Sequence, residues 1–599
     1  MPPEYRDRVP VAEAVPDVRK LATLSPKAPL ALSLYPVGSD PGALGLKVYR
    51  RGAPLVLSDS LPMLEHMGAR VLSEASYRVG PQRGDEAIAV HDFRLQAPLN
   101  AEFDIGTLAP LFEETFARVL HGDIESDDFN RLVLLAALSA DDVLVLRAYA
   151  KYLKQIGFAQ SQATIATTLA AHPRIARMLV SLFKLRFDPQ RHDESAAGSQ
   201  INAIEQALEK VSNLSEDRVL RQLLALIQAT LRTNFWRTGP GNTGSAGPRR
   251  TFLSMKFDSA RVPELPRPRP LYEIWVYSPR FEGIHLRGGK VARGGLRWSD
   301  RPDDFRTEVL GLVKAQMVKN TVIVPVGSKG GFVLKKAPPA GDRESFMRDG
   351  VACYEDFLRG LLDLTDNLVE GRPAPPPQLV RIDGDDPYLV VAADKGTASF
   401  SDYANRISAE YGFWLGDAFA SGGSAGYDHK EMGITARGAW ESVKRHFREL
   451  GVDIQRTDFT VAGIGDMSGD VFGNGMLLSP HIRLVAAFDH RHIFIDPQPD
   501  PAATLAERRR LFGLPRSSWQ DYDRAKLSKG GGVFSRALKS IPLTPEIKAL
   551  LEITEEAVAP QQLMKAILKA PVELFWLGGI GTYFKAPNED NASVGDRTN

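Results

Sequence analysis

Between residues 25 and 105 short apolar runs, Leu30-Ala-Leu-Ser-Leu-Tyr, Leu46-Lys-Val-Tyr and Ala69-Arg-Val-Leu, flank a helical stretch, Leu61-Pro-Met-Leu-Glu-His-Met. Runs this short suit strands, and the mixture predicts a small α+β unit over 1–108. From 109 to 245 the period changes. Phe112, Phe116, Val119 and Leu120, then Leu220, Leu223, Leu224 and Ile227, recur every three or four positions, which predicts an all-helical unit. The run Gly239-Pro-Gly-Asn-Thr-Gly-Ser-Ala-Gly-Pro has the composition of a linker. Beyond it, over 250–415, strand-like runs (Leu271-Tyr-Glu-Ile-Trp-Val-Tyr and Thr321-Val-Ile-Val-Pro-Val) alternate with helical patterns, as in an α/β layer structure. A second glycine-rich join, Ser421-Gly-Gly-Ser-Ala-Gly, opens a fourth unit, 420–599. The expected architecture is multidomain α/β.

Bulk properties narrow the partners. The 599 residues exceed what one core holds, roughly 250–300 residues, so several domains are required. Lys plus Arg (74) balances Asp plus Glu (73), which leaves no basic field for nucleic acid or an anionic membrane and favours a small-molecule substrate. Cys353 is the only cysteine, so no internal disulfide forms and a reducing, cytoplasmic location is expected. Met1-Pro-Pro-Glu-Tyr-Arg lacks the apolar core of a signal peptide, and the most apolar run, Leu132 to Leu146, is broken by Asp141 and Asp142. Neither a membrane span nor a metal site is expected.

The run Phe459-Thr-Val-Ala-Gly463-Ile-Gly465-Asp466-Met467-Ser-Gly469 sets an apolar strand before a Gly-x-Gly-x-x-x-Gly turn, one residue longer than the commonest dinucleotide pattern. The first glycine permits the tight turn, the second lets backbone approach a pyrophosphate, and the last permits close helix packing. A second apolar strand, Ile482-Arg-Leu-Val-Ala-Ala-Phe, ends at Asp489, where an acid accepts hydrogen bonds from the adenosine ribose and disfavours a 2′-phosphate. Arg491, two residues on, is close enough to pair with such a phosphate. NAD is the expected cofactor, and a Rossmann-like domain its expected frame.

The chain's most informative segment is Gly288-Gly-Lys290-Val-Ala-Arg293-Gly294-Gly295-Leu-Arg297-Trp-Ser-Asp-Arg301, followed by Lys314, Lys319 and Val324-Pro-Val-Gly-Ser-Lys329-Gly-Gly. Several cations among glycines around one cleft suit a substrate with two carboxylates. A helix beginning near Phe305, with Phe305, Val309, Leu312, Val313 and Met317 on its apolar face, leads to Lys319. A buried strand, Thr321 to Val326, is expected to deliver Lys329, whose pKa desolvation and like charge should lower toward that of a base. Asp394 ends another apolar run and reads equally as a proton carrier or a turn-forming residue.

These segments resemble the glutamate dehydrogenase family, especially its large NAD-specific bacterial branch. The likeness extends to Ala148-Tyr-Ala-Lys-Tyr-Leu-Lys-Gln-Ile-Gly, Ser528-Lys-Gly-Gly-Gly-Val-Phe-Ser-Arg and Gly578-Gly-Ile-Gly-Thr-Tyr. The resemblance implies that Lys329 is the catalytic lysine, Asp394 the proton-transferring aspartate and Lys319 the holder of the substrate α-carboxylate. Arg293 stands where the wider family has a lysine for the side-chain carboxylate, with Gly294 and Gly295 beside it. Thr435, in Met432-Gly-Ile-Thr435-Ala-Arg437-Gly, matches a threonine near the nicotinamide; Gly463, Gly465, Asp466, Met467, Gly469 and Asp489 complete the implied NAD site. The implied activity is reversible oxidative deamination of glutamate to 2-oxoglutarate and ammonium by a homo-oligomer. Residues 25–105 resemble the last regulatory unit of that branch, and the nucleotide-binding domain is expected to be incomplete at its carboxyl end, Val594-Gly-Asp-Arg-Thr-Asn. Two other readings stay open: a dehydrogenase for a branched or aromatic amino acid, which needs an apolar pocket where Arg293 stands, and a silent nucleotide-binding module.

Overall fold

The computed structural model describes residues 2–40, 42–80, 87–98, 104–239, 249–319, 326–336, 342–393, 398–424, 429–515, 517–579 and 586–589. The chain divides into two units, Met1–Ser421 and Gly422–Asn599.

In the first unit, strands β1 (Leu30–Pro36), β2 (Ala43–Arg51), β3 (Arg70–Val79) and β4 (Ile88–Gln96) form an antiparallel sheet ordered β1-β2-β4-β3. Alternation sends Leu44, Leu46, Val48, Phe93 and Leu95 to one face, which joins the main core. Tyr49, Tyr77 and Val90 lie on the other face, against Tyr5 and the helix Val11–Thr23. There the buried Asp17 carboxylate accepts from Tyr5, from Tyr49 at 2.6 Å and from Lys47 at 2.7 Å, so a polar group is buried with its partners.

Seven helices follow, from Ile105–His121 to Leu214–Ala229, with the expected Phe112, Phe116, Leu220, Leu223 and Ile227 buried. Asp104, Ser161, Asp193 and Asn213 cap helix starts, and Ser139 with Asp142 forms a capping box ahead of helix Ala140–Gln155. This layer is not helical to its end. Thr230–Thr233 is strand β5, which pairs with β6 (Leu253–Asp258) from beyond the glycine-rich run.

The sheet continues with β7 (Tyr272–Tyr277), β8 (Phe281–Arg287), β9 (Arg293–Trp298) and β10 (Ser328–Leu334); β11 (Asn367–Val369) and β12 (Arg372–Ala374) form a separate hairpin before β13 (Val390–Ala393). Its order is β13-β9-β10-β8-β7-β6-β5, parallel only across β13, β9 and β10. One face (Met255, Phe257, Trp275, Ile284, Leu286) shares a continuous core with the helical layer and with helix Phe305–Lys319. The other (Ile274, Val276, Leu296, Phe332) is covered by helices Arg343–Leu362 and Ala398–Glu410.

In the second unit β14 (Phe459–Ile464), β15 (Ile482–Phe488), β16 (His492–Ile495), β17 (Gly532–Ser535), a small hairpin of β18 (Ile541–Pro542) and β19 (Ala557–Val558), and β20 (Leu574–Leu577) follow one another. The main sheet runs β17-β16-β15-β14-β20, with β15, β14 and β20 parallel and β16 and β17 antiparallel. Helices Ile434–Glu449, Asp470–Gly475 and Pro501–Gly513 pack with one core and Pro545–Leu551 and Pro560–Leu568 with another, giving a Rossmann-like arrangement. Among the described residues no helix is long and apolar enough to cross a membrane.

Candidate functional site

Two clusters carry the predicted site residues, one in each unit. In the first, β9 runs between β13 and β10, with Gly294 opposite Val391, Gly295 opposite Ala392 and Gly330 opposite Leu296. The starts of β9 and β10 meet: Arg293 bridges Gly327, and the Arg293 N–H donates to the Val326 carbonyl at 3.2 Å. Arg293 is exposed and Lys329 half-buried. Lys329 is the second residue of β10, opposite Leu286; the strand expected over Thr321 to Val326 falls on 321–325, which lie outside the described residues.

The glycines here answer to the protein's own packing. A Cβ on Gly294 would fall 1.4 Å from the Ser328 carbonyl oxygen, and one on Gly330 would fall 2.4 Å from a Leu296 methyl. The two parallel strands lie side by side at a distance only glycine permits at these positions. Helix Phe305–Lys319 backs this junction with Phe305, Val309, Leu310 and Val313 buried; Leu310 takes the inward place expected of Leu312, which is half-buried. Gln316 donates to the Arg293 carbonyl at 2.7 Å, tying helix to strand. The side chain of Lys319 and all of Asp394, which follows β13 in the chain, lie outside the described residues.

In the second unit the turn after β14 keeps the expected strand–turn–helix order, but its glycines divide their work differently. Gly465, at φ 147°, sits in backbone space that favours glycine, and a Cβ there would meet Phe472 at 2.6 Å. Gly463 lies inside β14, where a Cβ would fall 2.5 Å from the Trp576 carbonyl oxygen. Close packing was expected of Gly469; that residue instead precedes helix Asp470–Gly475, with nothing nearer than 3.4 Å to a Cβ. The Asp466 carboxylate accepts the Ser468 N–H at 2.8 Å, so one amide of the turn already has an anionic partner. Met467 is buried in the core of the second unit. Trp519 supports the turn by donating to the Gly465 carbonyl at 2.9 Å.

Asp489 follows β15 as expected. One carboxylate oxygen accepts the N–H groups of Arg491 at 2.7 Å and His492 at 2.6 Å; the other is buried and has no partner among the described residues. A buried acceptor left open at the end of the second strand, beside a Gly465 turn, fits the ribose of a dinucleotide. Beside it lies an open groove of about 610 Å³ lined by His490, Arg491, His492, Gln520, Ser535 and Arg536, among others. Arg536 donates to the Asp489 carbonyl at 2.8 Å. The sequence does not show that Arg536, the last residue of the Ser528-Lys-Gly-Gly-Gly-Val-Phe-Ser-Arg segment, meets Asp489, because antiparallel pairing of β16 with β17 brings it back from far along the chain. Thr435 is exposed in the first turn of helix Ile434–Glu449; Gly433, just before that helix, packs where a Cβ would lie 2.7 Å from Asn474 of the helix after the glycine turn. Among the described residues no group of three or more His, Cys, Asp and Glu is placed to hold a metal ion.

Residues 203–599 match the family model of the bacterial NAD-glutamate dehydrogenase catalytic domain. The chain belongs to the bacterial NAD-glutamate dehydrogenase family. Residues 124–189 match helical motif 3 of glutamate dehydrogenase, and 29–108 match its ACT3 domain. The curated NAD-specific glutamate dehydrogenases of Halomonas elongata and Pseudomonas aeruginosa are 55% and 56% identical over all of this chain, and that of Mycobacterium tuberculosis is 52% identical over 99% of it. These alignments cover 37%, 37% and 38% of the relatives, so the chain spans little more than a third of their length.

Proposed function

We propose that this protein catalyses the reversible oxidative deamination of L-glutamate, with NAD and water, to 2-oxoglutarate and ammonium, as part of amino-acid catabolism. NAD, when bound, supplies the hydride acceptor. The Gly463–Gly469 turn holds its pyrophosphate, Asp489 its adenosine ribose, and Thr435 lies toward its nicotinamide. Arg293, beside Gly294 and Gly295, and Lys319 fix the two substrate carboxylates. Lys329 activates the attacking water and stabilises the carbinolamine, and Asp394 exchanges a proton with the amino group. In this reading 1–108 is a regulatory-like unit, 109–245 helical, 250–415 the substrate domain and 420–599 the NAD-binding domain. The working protein is a cytoplasmic homo-oligomer.

The observation that carries the reading is the junction of β9 and β10, neighbouring strands whose starts bring Arg293-Gly-Gly and Lys329-Gly-Gly together in a chain of this family. The test follows NADH consumption with ammonium and either 2-oxoglutarate or 4-methyl-2-oxopentanoate. Turnover with 2-oxoglutarate alone is expected, falling roughly 10²–10⁴-fold in Lys329→Ala with NADH affinity unchanged. Preference for the branched substrate would identify a different amino-acid dehydrogenase. NADH binding without turnover would identify a silent nucleotide-binding module.

A further inference from the structure

Helix Phe305–Lys319 carries Lys314, Gln316 and Lys319 toward its carboxyl end, and its first turn is gripped from the helical layer and from the sheet. Gln155 donates to the Pro302 carbonyl at 3.0 Å and accepts the Arg306 N–H at 3.3 Å. The Arg306 guanidinium, fully buried, donates to Glu273 through Nε at 2.9 Å and through Nη2. Tyr152 donates its hydroxyl to the same carboxylate at 2.8 Å. Phe305 stacks on Trp275, whose indole N–H donates to the Ala148 carbonyl at 3.1 Å. From β9 and the residue after it, Arg297 and Ser299 both donate to Glu308, at 2.7 and 2.6 Å.

Stability alone does not call for such a device. A buried ion pair is about as stable as well-packed apolar side chains of the same volume, because desolvation cancels most of the attraction. What a two-pronged guanidinium–carboxylate pair adds is direction, since its planar fork accepts one orientation. The pair, Tyr152 and Gln155 together define both the rotation of this helix and its position along its axis. A tilt of about 3° at the first turn displaces the far end, roughly 20 Å away, by about 1 Å. A shift of that size costs up to roughly 100-fold in rate when it misplaces a substrate-holding group.

We propose that Tyr152 and Gln155, acting through Glu273 and Arg306, are positioning residues that set where helix Phe305–Lys319 presents its carboxyl end to a dicarboxylate substrate. The helical layer thereby enters the chemistry without touching the reactants. This rests on the proposed function, and the test separates the two. In the full chain, Tyr152→Phe and Gln155→Ala are compared with wild type by 2-oxoglutarate turnover, by NADH titration, and by backbone hydrogen exchange over 309–318.

The expected result is a KM for 2-oxoglutarate raised about tenfold. NADH affinity should hold, with faster exchange confined to the helix and β7 and β8 unchanged. Unaltered KM overturns the inference, with or without faster exchange. So does a proportional loss of every parameter with exchange raised throughout the unit, which marks a folding defect. A wild-type protein inert toward 2-oxoglutarate refutes the proposed function instead; exchange then decides alone, a rise confined to the helix supporting positioning and no rise overturning it.

Discussion

His285 lies buried in the middle of β8, opposite Gly330, and neither of its ring nitrogens has a partner among the described residues. Burial, with help from the charge of Arg287 and against that of Asp386, pushes its pKa from 6.5 down to about 3. The unfolded chain therefore takes up a proton that the folded chain refuses. The contribution of His285 to stability is complete above its ordinary value of 6.5 and is lost as the pH falls from there toward about 3, at roughly 1 kcal/mol per pH unit. His285→Leu cannot titrate. Its melting temperature should fall less steeply than that of wild type between about pH 7 and 4.5. Equal slopes would transfer the acid limb to other groups, among them Asp386, whose carboxyl is held well below the usual range by Arg287 and Lys256 despite its burial.

At the scale of elements, the meeting of β9 and β10 at their starts depends on one hydrogen atom. Gly294→Ala puts a methyl within bonding distance of the Ser328 carbonyl oxygen, a backbone atom that cannot swing aside. The junction must open, and Arg293 and Lys329 part with it. Turnover is expected to fall by about 100-fold or more while NADH binding persists; near-normal turnover would show that this junction is not the site. The glycines themselves were plain in the sequence, though not what they serve. A pattern shows that backbone comes close to something; only the fold reveals that Gly294 meets Ser328 and Gly463 meets Trp576. The amphipathic helices could be read from local periodicity, because burial on one face writes a period of 3.6, and strands β1, β2 and β7 from short apolar runs, continuous in β7 because both its faces are buried. Strand β5 could not, since Thr230–Thr233 is four residues long and its partner comes from beyond the linker-like run. The contact of Arg536 with Asp489 was hidden for the same reason.

Across the whole molecule, the hydrophobic cores respect the division at Ser421. Units with separate cores can unfold separately, so calorimetry should resolve two transitions. A ligand stabilises only the unit that binds it, by about 3 kcal/mol at a hundredfold excess over Kd. NADH should therefore raise the transition of Gly422–Asn599 and leave that of Met1–Ser421 near its place. Gly465→Ala should abolish the shift, because the added methyl meets Phe472 at a backbone angle that side chains avoid. 2-Oxoglutarate should act on the other transition, that of the unit holding Arg293 and Lys329. A single transition, raised as a whole by NADH, would mean that the two units melt as one block. NADH raising neither would mean that the glycine turn, with Asp466 already bonded to the Ser468 amide, does not hold the dinucleotide.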